Sequence, residues 1–267
     1  MSIDIVIPAH NEEHRIGMTL DTYRSRCVGD DARFLVALDQ CTDRTSEIVA
    51  EHARADDRVE VIEYPKLGKG GVIMETFRRC EADFVGFVDA DCATPPNELL
   101  RLLDATRAVD GAIASRWHPA AVLPRRRDLS RRVASAGFAA LTKLLFQLPY
   151  ADTQCGAKVL RREVVQGCLP FLSARDLLFD VDLLVVARTL GFSIVEVPTV
   201  WVDQEGSRID AGRDATRMVA SSLRLWLHHR LLPVPSPCAD TRLASDEVGA
   251  WEQRELEDRE PGIGHAA

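Results

Sequence analysis

Two aspartates separated by one small residue, Asp89 and Asp91, directly follow the apolar run Phe84–Val88. Such a run indicates a buried strand, and carboxylates spaced i, i+2 can both face a crevice where the strand ends. Mg²⁺ is commonly held in proteins by one or two carboxylates together with phosphate oxygens and waters. The pattern therefore predicts a divalent metal bound together with a diphosphate, although an acid at a strand end often only caps a helix.

Polar residues suited to the same anionic ligand follow three other predicted strands. In chain order they are Pro8, His10, Asn11 and Glu12; Asp39; and Lys66, Gly68, Lys69 and Gly70. A glycine–lysine–glycine triplet is often only a turn. Parallel strands, however, end at one edge of a sheet, where ligands gather. The four sets together therefore favour one binding crevice.

The elements that must position these residues alternate between short apolar runs and amphipathic stretches. This alternation predicts βαβ units and an α/β fold with a mostly parallel, Rossmann-like sheet flanked by helices. The predicted strands of the first half are Ile3–Ile7, Phe34–Leu38, Val59–Tyr64, Phe84–Val88 and Gly111–Ser115. Asn11 is expected to cap the first helix, and Thr94 to cap another that begins with a proline.

Beyond Arg116 the alternation loosens. Helices are predicted over 130–148 and 178–190, a strand over 194–202, and an amphipathic helix over 215–232 that ends before two prolines. Residues 1–235 are thus expected to form one domain. The remaining residues, 236–267, are predicted to form an acidic, flexible tail, because they contain few large apolar side chains.

Composition excludes several classes of protein. The chain has 267 residues, 46% hydrophobic and 28% charged, which is typical of a soluble globular protein. Its longest run without Asp, Glu, Lys or Arg has eleven residues, whereas a membrane-spanning helix needs about 18–20 apolar ones. Seven widely spaced cysteines and the lack of a signal-peptide pattern predict a cytoplasmic protein. A net charge of −8 argues against a nucleic-acid partner.

Eight strings occur in the order and spacing of a known family. They are VIPAHNEEHRI, LDQCTDRT, GKGG, FVDADCATPP, SRW, DTQCGAKVLRR, FDVDLL and EVPTVWVDQEGSR. From Ile3 to Leu232 the chain resembles inverting family 2 glycosyltransferases with the GT-A fold. Among these it is most similar to dolichyl-phosphate glucosyltransferases, with dolichyl-phosphate mannose synthases close by. The resemblance implies a nucleotide-sugar half, 1–115, and an acceptor half, 116–235.

The resemblance also implies donor-side roles. Pro8 and Ala9, with Glu12 and Asp39, would hold the base and ribose, and Lys69 would lie beside the nucleotide. Asp89 would reach the ribose or the metal, and Asp91 would coordinate Mg²⁺ or Mn²⁺. Ala93, where mannose synthases commonly have Gln, favours UDP-glucose over GDP-mannose as the donor. Leu38 stands where many relatives have a further acid, which leaves the base preference open.

A polyprenyl phosphate is the acceptor that the resemblance implies, and guanidinium groups suit phosphate. The expected acceptor-side residues are Arg116, Arg131, Arg132, Ser135, Gln154 and Arg208. Three further aspartates, Asp152, Asp180 and Asp182, match acceptor-side motifs and join Asp91 as catalytic candidates, although a helix-start cap is the alternative for the last two. A phosphate acceptor is already an oxyanion and needs no strong base. A hydroxyl acceptor would need one of these carboxylates.

Two questions stay open from the sequence. Residues 133–148 and the string SLRLWLHHRLL could lie on a membrane surface, which would make the protein peripheral on the inner face of the membrane; an ordinary core-facing helix explains both equally well. The function could be hexose transfer to a polyprenyl phosphate, transfer to a small-molecule or peptide hydroxyl, or nucleotide-sugar binding without catalysis.

Overall fold

The computed structural model describes residues 1–26, 31–124, 129–202 and 211–235, with the side chains of 129–134 and 211–215 excepted. Arg208 and the tail lie outside the described residues, as do the side chains of Arg131 and Arg132.

One seven-stranded sheet forms the centre of the described structure. Its strands are β1 (Ile3–Ala9), β2 (Ala32–Asp39), β3 (Val59–Tyr64), β4 (Phe84–Val88), β5 (Gly111–Ser115), β6 (Ala157–Arg161) and β7 (Ile194–Pro198). Their order across the sheet is β3-β2-β1-β4-β6-β5-β7. Neighbouring strands are parallel except at β6, which pairs antiparallel with both β4 and β5. The predicted mostly parallel α/β fold is confirmed.

Helices cover both faces of this sheet. They are α1 (Ile16–Arg26), α2 (Thr45–Ala55), α3 (Lys69–Phe77), α4 (Pro96–Ala105), α5 (Leu129–Phe146), α6 (Arg162–Cys168), α7 (Phe179–Thr189) and α8 (Ala211–Leu231). Side chains of α1, α2 and α4 form one core cluster, and those of α3, α6, α7 and α8 form the other. Within the described ranges, no helix is both long and apolar enough to span a membrane.

The central strand β1 shows why the strands read as continuous apolar runs. Ile5 and Ile7 pack into one core cluster, while Val6, between them, packs into the other. Successive side chains of a strand point to opposite faces, so a strand covered on both faces has no polar side. The one acid within it, Asp4, is fully buried and paired with Arg33 at 2.7 Å.

The strand order creates a crevice. The chain leaves β1 for β2 on one side, whereas β4 lies on the other side of β1. Helices at such a reversal diverge to opposite faces, which opens a crevice outside the carboxyl ends of the strands. The ends of β1 and β4 carry the residues that the sequence singles out.

Two predicted helix caps are wrong. Asn11 does not cap α1, which begins only at Ile16; it adopts a φ of 57°, and its Oδ1 accepts from the Thr42 amide at 2.7 Å. Thr94 precedes α4 without capping it, because among the described atoms its buried hydroxyl has no hydrogen-bond partner. The short helix α6 was not predicted at all, since its seven residues are too few to show a period.

Candidate active site

A cavity of about 310 Å³ lies at the carboxyl ends of β1 to β4. All four polar sets contribute to its walls, which comprise Pro8, Ala9, His10, Glu12, Arg15, Asp39, Lys66, Gly68, Lys69, Val72, Asp89, Ala90 and Asp91. The expected meeting of the Asp89–Asp91 pair with the glycine–lysine–glycine turn is therefore confirmed. Arg15, which the sequence reading missed, holds the Glu12 carboxylate at 2.5 Å in this wall.

The glycine turn is seated on the backbone of residues 174 and 175. A Cβ on Gly70 would lie 2.4 Å from the Ala174 carbonyl oxygen, and one on Gly68 would lie 2.5 Å from that of Arg175. Gly68 also has a φ of 81°, and the Gly71 amide donates to the Arg175 oxygen at 3.1 Å. Only glycine permits this close approach of two backbones.

Asp39 holds the same turn from the other side. Its carboxylate accepts from the Leu67 amide at 2.6 Å and the Gly68 amide at 3.2 Å, and Lys66 Nζ lies 2.8 Å away. Burial would raise the pKa of Asp39, but Lys66 and the two amides hold it below its ordinary value. The side chain thus stays ionised and fixes the turn. Its predicted contact with the ribose stays a prediction.

Lys69 lies between two carboxylates. Its Nζ is 2.7 Å from Asp89 Oδ1 and 3.6 Å from Asp180 Oδ2. The fully buried Lys158 binds the other oxygen of Asp180 at 2.5 Å. Burial would lower the pKa of Lys69, but the charges of Asp89 and Asp180 raise it well above its ordinary value. Positive and negative groups therefore alternate from the core to the crevice, and Lys69 carries its charge throughout the physiological pH range.

Lys158 is a residue that sequence reasoning missed. A lysine within the buried strand β6 is itself a signal, because a buried charge requires a partner. Gly156, just before that strand, was also missed; its carbonyl oxygen accepts from the Asp89 amide at 3.1 Å.

The Asp89–Asp91 turn is anchored by helix α1. Thr19 Oγ1 donates to the Ala90 carbonyl at 2.8 Å, and Tyr23 OH donates to that of Thr94 at 2.6 Å. Asp91 Oδ1 accepts from the Ala93 amide at 3.0 Å. Burial, and then the negative charge of Asp89, raise the pKa of Asp91. These carboxylates repel each other in the crevice wall, and a cation would relieve that repulsion.

The donor set fits a divalent cation of the Mg²⁺ or Mn²⁺ kind. Asp89 and Asp91 supply carboxylate oxygens, which such hard cations prefer. Within the described ranges, no three His, Cys, Asp or Glu side chains form a group that could hold a metal by themselves. A metal there would complete its shell with waters and with oxygens of a bound diphosphate.

Arg116 and Asp152 form a buried pair. Arg116 Nε and Nη2 donate to the two carboxylate oxygens at 2.6 and 2.8 Å, and the guanidinium lies 4.9 Å from the centre of the Trp201 ring. Burial would raise the pKa of Asp152, but Arg116 holds it below its ordinary value. This pairing gives both residues a structural part. Their roles toward an acceptor stay predictions.

Asp182 is fully buried and bound on both oxygens. Oδ2 accepts from the Ser173 and Ala174 amides at 2.7 Å each, and Oδ1 lies 2.7 Å from His229 Nε2 on α8. It thereby supports the segment on which the glycine turn rests.

The remaining acceptor-side candidates are less informative. Gln154 Nε2 donates to the Leu177 carbonyl at 3.3 Å, and Ser135 is half-buried on α5. The predicted phosphate ligands Arg131, Arg132 and Arg208 fall outside the described side chains. The structure therefore brings together the residues that are predicted to bind the donor, and their roles, like those of the acceptor-side residues, stay predictions.

Comparison with known proteins assigns the family. The family model described as glycosyl transferase family 2 matches residues 4–169. The chain belongs to this family and is a nucleotide-sugar-dependent hexosyltransferase with the GT-A fold.

Three curated relatives illustrate its range. The chain is 31% identical over 233 residues to glycosyltransferase AglD of Haloferax volcanii, covering 85% of this chain but only 37% of that protein. It is 29% identical over 258 residues to a dolichyl-phosphate beta-glucosyltransferase of Trichomonas vaginalis, covering 91% and 76%. It is 32% identical over 209 residues to polyprenol monophosphomannose synthase of Mycolicibacterium smegmatis, covering 75% and 77%.

A solved structure shares the fold. Glucosyl-3-phosphoglycerate synthase from Mycobacterium tuberculosis, crystallised with Mn²⁺, UDP and glucosyl-3-phosphoglycerate, superposes with a TM-score of 0.64 at 18% identity. The match covers 89% of this chain and 81% of that one. At this identity the likeness concerns the fold alone.

Proposed function

We propose that this protein transfers a hexose from a nucleoside diphosphate sugar to a polyprenyl phosphate, with inversion at the anomeric carbon. The observation that carries the proposal is the single cavity in which Lys69, Asp89 and Asp91 meet at the sheet's reversal point. Two relatives named for dolichyl-phosphate glucosylation and polyprenol monophosphate mannosylation support the acceptor class.

The donor lies across the carboxyl ends of the first strands in this proposal. Pro8 and Ala9 border the base, and Glu12 and Asp39 lie toward the ribose. The Lys69 ammonium, held between two carboxylates, faces the diphosphate. Ala93 favours UDP-glucose over GDP-mannose.

Asp89 and Asp91 would hold Mg²⁺ or Mn²⁺. When bound, the metal would neutralise the charge that develops on the departing diphosphate. The solved neighbour that contains Mn²⁺ and UDP is consistent with a divalent ion. Lys69 would also help to neutralise the charge on the departing diphosphate, because its ammonium stays charged beside the leaving group.

The state of the candidate bases favours a phosphate acceptor over a hydroxyl. Asp152 is paired with Arg116, Asp180 lies between Lys158 and Lys69, and both oxygens of Asp182 are occupied. A hydroxyl acceptor would need one of these carboxylates to be unpaired, so that it could accept the hydroxyl proton as a general base. A phosphate monoester is already an oxyanion, so positioning and charge stabilisation suffice for its attack.

The test is transfer from radiolabelled donors. The full chain would receive UDP-glucose or GDP-mannose, Mn²⁺, and either a short prenyl phosphate or the matching prenol. We expect a mild-acid-labile glycolipid from the prenyl phosphate only. Asp91→Asn should abolish its formation, whereas Asp57→Asn, on an exposed turn, should leave it unchanged.

Three results would count against the proposal. Transfer to the prenol or to water-soluble hydroxyls, with prenyl phosphate inert, would indicate a hydroxyl-directed transferase. Tight donor binding without turnover on any acceptor would indicate a binding protein. Full activity of Asp91→Asn would remove the assigned metal role.

A further inference from the structure

One side of helix α8 packs against the rest of the described structure. Ser222, Leu225 and His229 are buried or nearly so, and they recur at spacings of three and four residues. Such spacing places side chains on one face of a helix. Leu225 packs in the core cluster of α3, α6 and α7, and His229 binds Asp182 on α7.

Its opposite side carries an apolar stripe. Val219, Leu223, Leu227 and Leu231 recur every fourth residue and are between 42% and 69% exposed. Residues four apart lie one above another on a helix, so these four side chains form a continuous row along it. Leu232, directly after the helix, is also 64% exposed. Exposed apolar residues normally occur singly, whereas an aligned row marks an interaction surface.

From residue 216 onward the charged side chains of this helix are all basic, although its first turn contains Asp214 beside Arg213. Residues 216–235 contain three arginines and two histidines but no Asp or Glu, in a chain whose net charge is −8. Arg217 and Arg224 are exposed, and they lie seven residues apart on one flank of the stripe. Arg230 is exposed as well and lies 4.8 Å from the centre of the Trp226 ring.

We propose that this outward face of α8, defined by Val219, Leu223, Leu227, Leu231 and the flanking arginines, docks on an anionic lipid bilayer. An apolar row bordered by arginines and a tryptophan is complementary to acyl chains beneath anionic headgroups. A second copy of this chain fits less well, because pairing through the stripe would place arginines of both chains together with no acid on 216–235 to neutralise them. This inference rests on the proposed function, whose acceptor resides in a bilayer.

The test is flotation of the full chain with lipid vesicles. Neutral phosphatidylcholine vesicles would be compared with vesicles that contain added phosphatidylglycerol, at low and at high salt. We expect binding to the anionic vesicles and a decline as salt rises, because screening weakens attraction between exposed charges. Failure of the wild-type chain to float with anionic vesicles at low salt would overturn the proposal.

Two variant pairs locate the surface. Leu223→Ser with Leu227→Ser should lower vesicle affinity about tenfold for each leucine. Arg217→Ala with Arg224→Ala should lower it about fivefold for each arginine and flatten the salt dependence. The matched control is Leu100→Ser on α4, which removes a leucine of similar exposure, at 40%, and should bind like wild type. Equal binding by the leucine pair and the control would contradict the proposal.

Two further measurements separate the alternatives. Light scattering on a sizing column would detect a dimer; a dimer dissociated by the leucine pair, without vesicle binding, would assign the stripe to a second copy and overturn the proposal. Transfer to a short, water-soluble prenyl phosphate should be unchanged in the leucine pair. If the wild type fails in that transfer yet floats with anionic vesicles, the proposed function fails while the docking surface stands.

Discussion

Gly156 lies so close to the carboxylate of Asp89 that a Cβ at this position would be 1.8 Å from Asp89 Oδ2. The two residues also share a backbone hydrogen bond, from the Asp89 amide to the Gly156 oxygen. They meet because β6 runs antiparallel beside β4, which places the residue before β6 next to the residue after β4. The absence of a side chain at 156 therefore sets the position of a proposed metal ligand.

Gly156→Ala should displace Asp89 and lower kcat/KM for the donor about a hundredfold, because an error of about 1 Å in a reacting group has that effect. Steady-state kinetics at saturating Mn²⁺ would measure it. Gly137→Ala is the matched control, since a Cβ there meets nothing within 4 Å. That variant should retain full activity and gain about 0.5–1 kcal/mol in free energy of unfolding, because alanine favours the helix. Equal activities of the two variants would contradict the role of Gly156.

Asp91 should give a characteristic dependence of stability on pH. Its folded pKa is raised above the ordinary 3.8, so the ionised side chain costs stability in the metal-free protein. Asp91→Asn should therefore be more stable than wild type above the raised pKa, and the difference should vanish below about pH 3.8. Urea unfolding across this pH range, with chelator present, would measure it.

Mn²⁺ should reverse that order at neutral pH. Only the ionised carboxylate binds metal, so Mn²⁺ should raise the Tm of wild type but not of Asp91→Asn, and the shift should shrink as pH falls. Asp57→Asn serves as the exposed control and should respond like wild type. A metal-induced shift of equal size in Asp91→Asn would place the metal elsewhere.

Lys69→Met should raise the KM for the donor. It should also lower kcat/KM by at least about a hundredfold. The variant removes the cation nearest the proposed diphosphate and leaves Asp89 and Asp180 without it. Donor-saturation kinetics with constant Mn²⁺ would measure both parameters. Lys143→Met, an exposed lysine on α5, should leave them unchanged. An unchanged KM in Lys69→Met would exclude a contact between the ammonium and the donor.

The Arg116–Asp152 pair should behave as a unit in stability. Arg116→Met leaves a buried carboxylate unpaired and should cost about 3–5 kcal/mol, whereas Arg116→Met with Asp152→Leu should cost much less. Because the folded pKa of Asp152 is lowered, the contribution of the pair is present above about pH 3.8 and is lost as pH falls through the folded pKa. Urea unfolding at neutral and acid pH measures both. Additive effects of the two single substitutions would contradict this assignment.

The meeting of the strand-end residues in one cavity could be predicted because each of them is local to the end of a strand. Each polar set follows a strand that the sequence predicts, and parallel strands end at one edge of a sheet. Asp89 and Lys69 needed only that rule to be brought together. The two failed caps show the limit of local rules. Asn11 and Thr94 are residue types that often cap helices, but the Asn11 side chain binds the Thr42 amide instead and the Thr94 hydroxyl caps nothing.

The other half depends on pairs that are distant in sequence. Asp182 meets His229 across 47 positions, and Arg116 meets Asp152 across 36. The burial of Lys158 can be explained only from the fold, because β6 lies between β4 and β5 and its lysine pairs with Asp180 on α7. No periodicity encodes such partners, so motif matching could name these acids and bases without revealing that they are bound to one another.

The buried carboxylate of Asp182 has a consequence for the whole enzyme. It is hydrogen-bonded both to α8, through His229, and to Ala174 in the segment beneath the glycine turn, so a shift of either one changes the support of the other. If α8 docks on lipid and the crevice binds a sugar nucleotide, as proposed, we expect the two binding events to be thermodynamically linked through Asp182. Such linkage is reciprocal. The factor by which lipid binding raises the affinity for the sugar nucleotide equals the factor by which the sugar nucleotide raises the affinity for lipid.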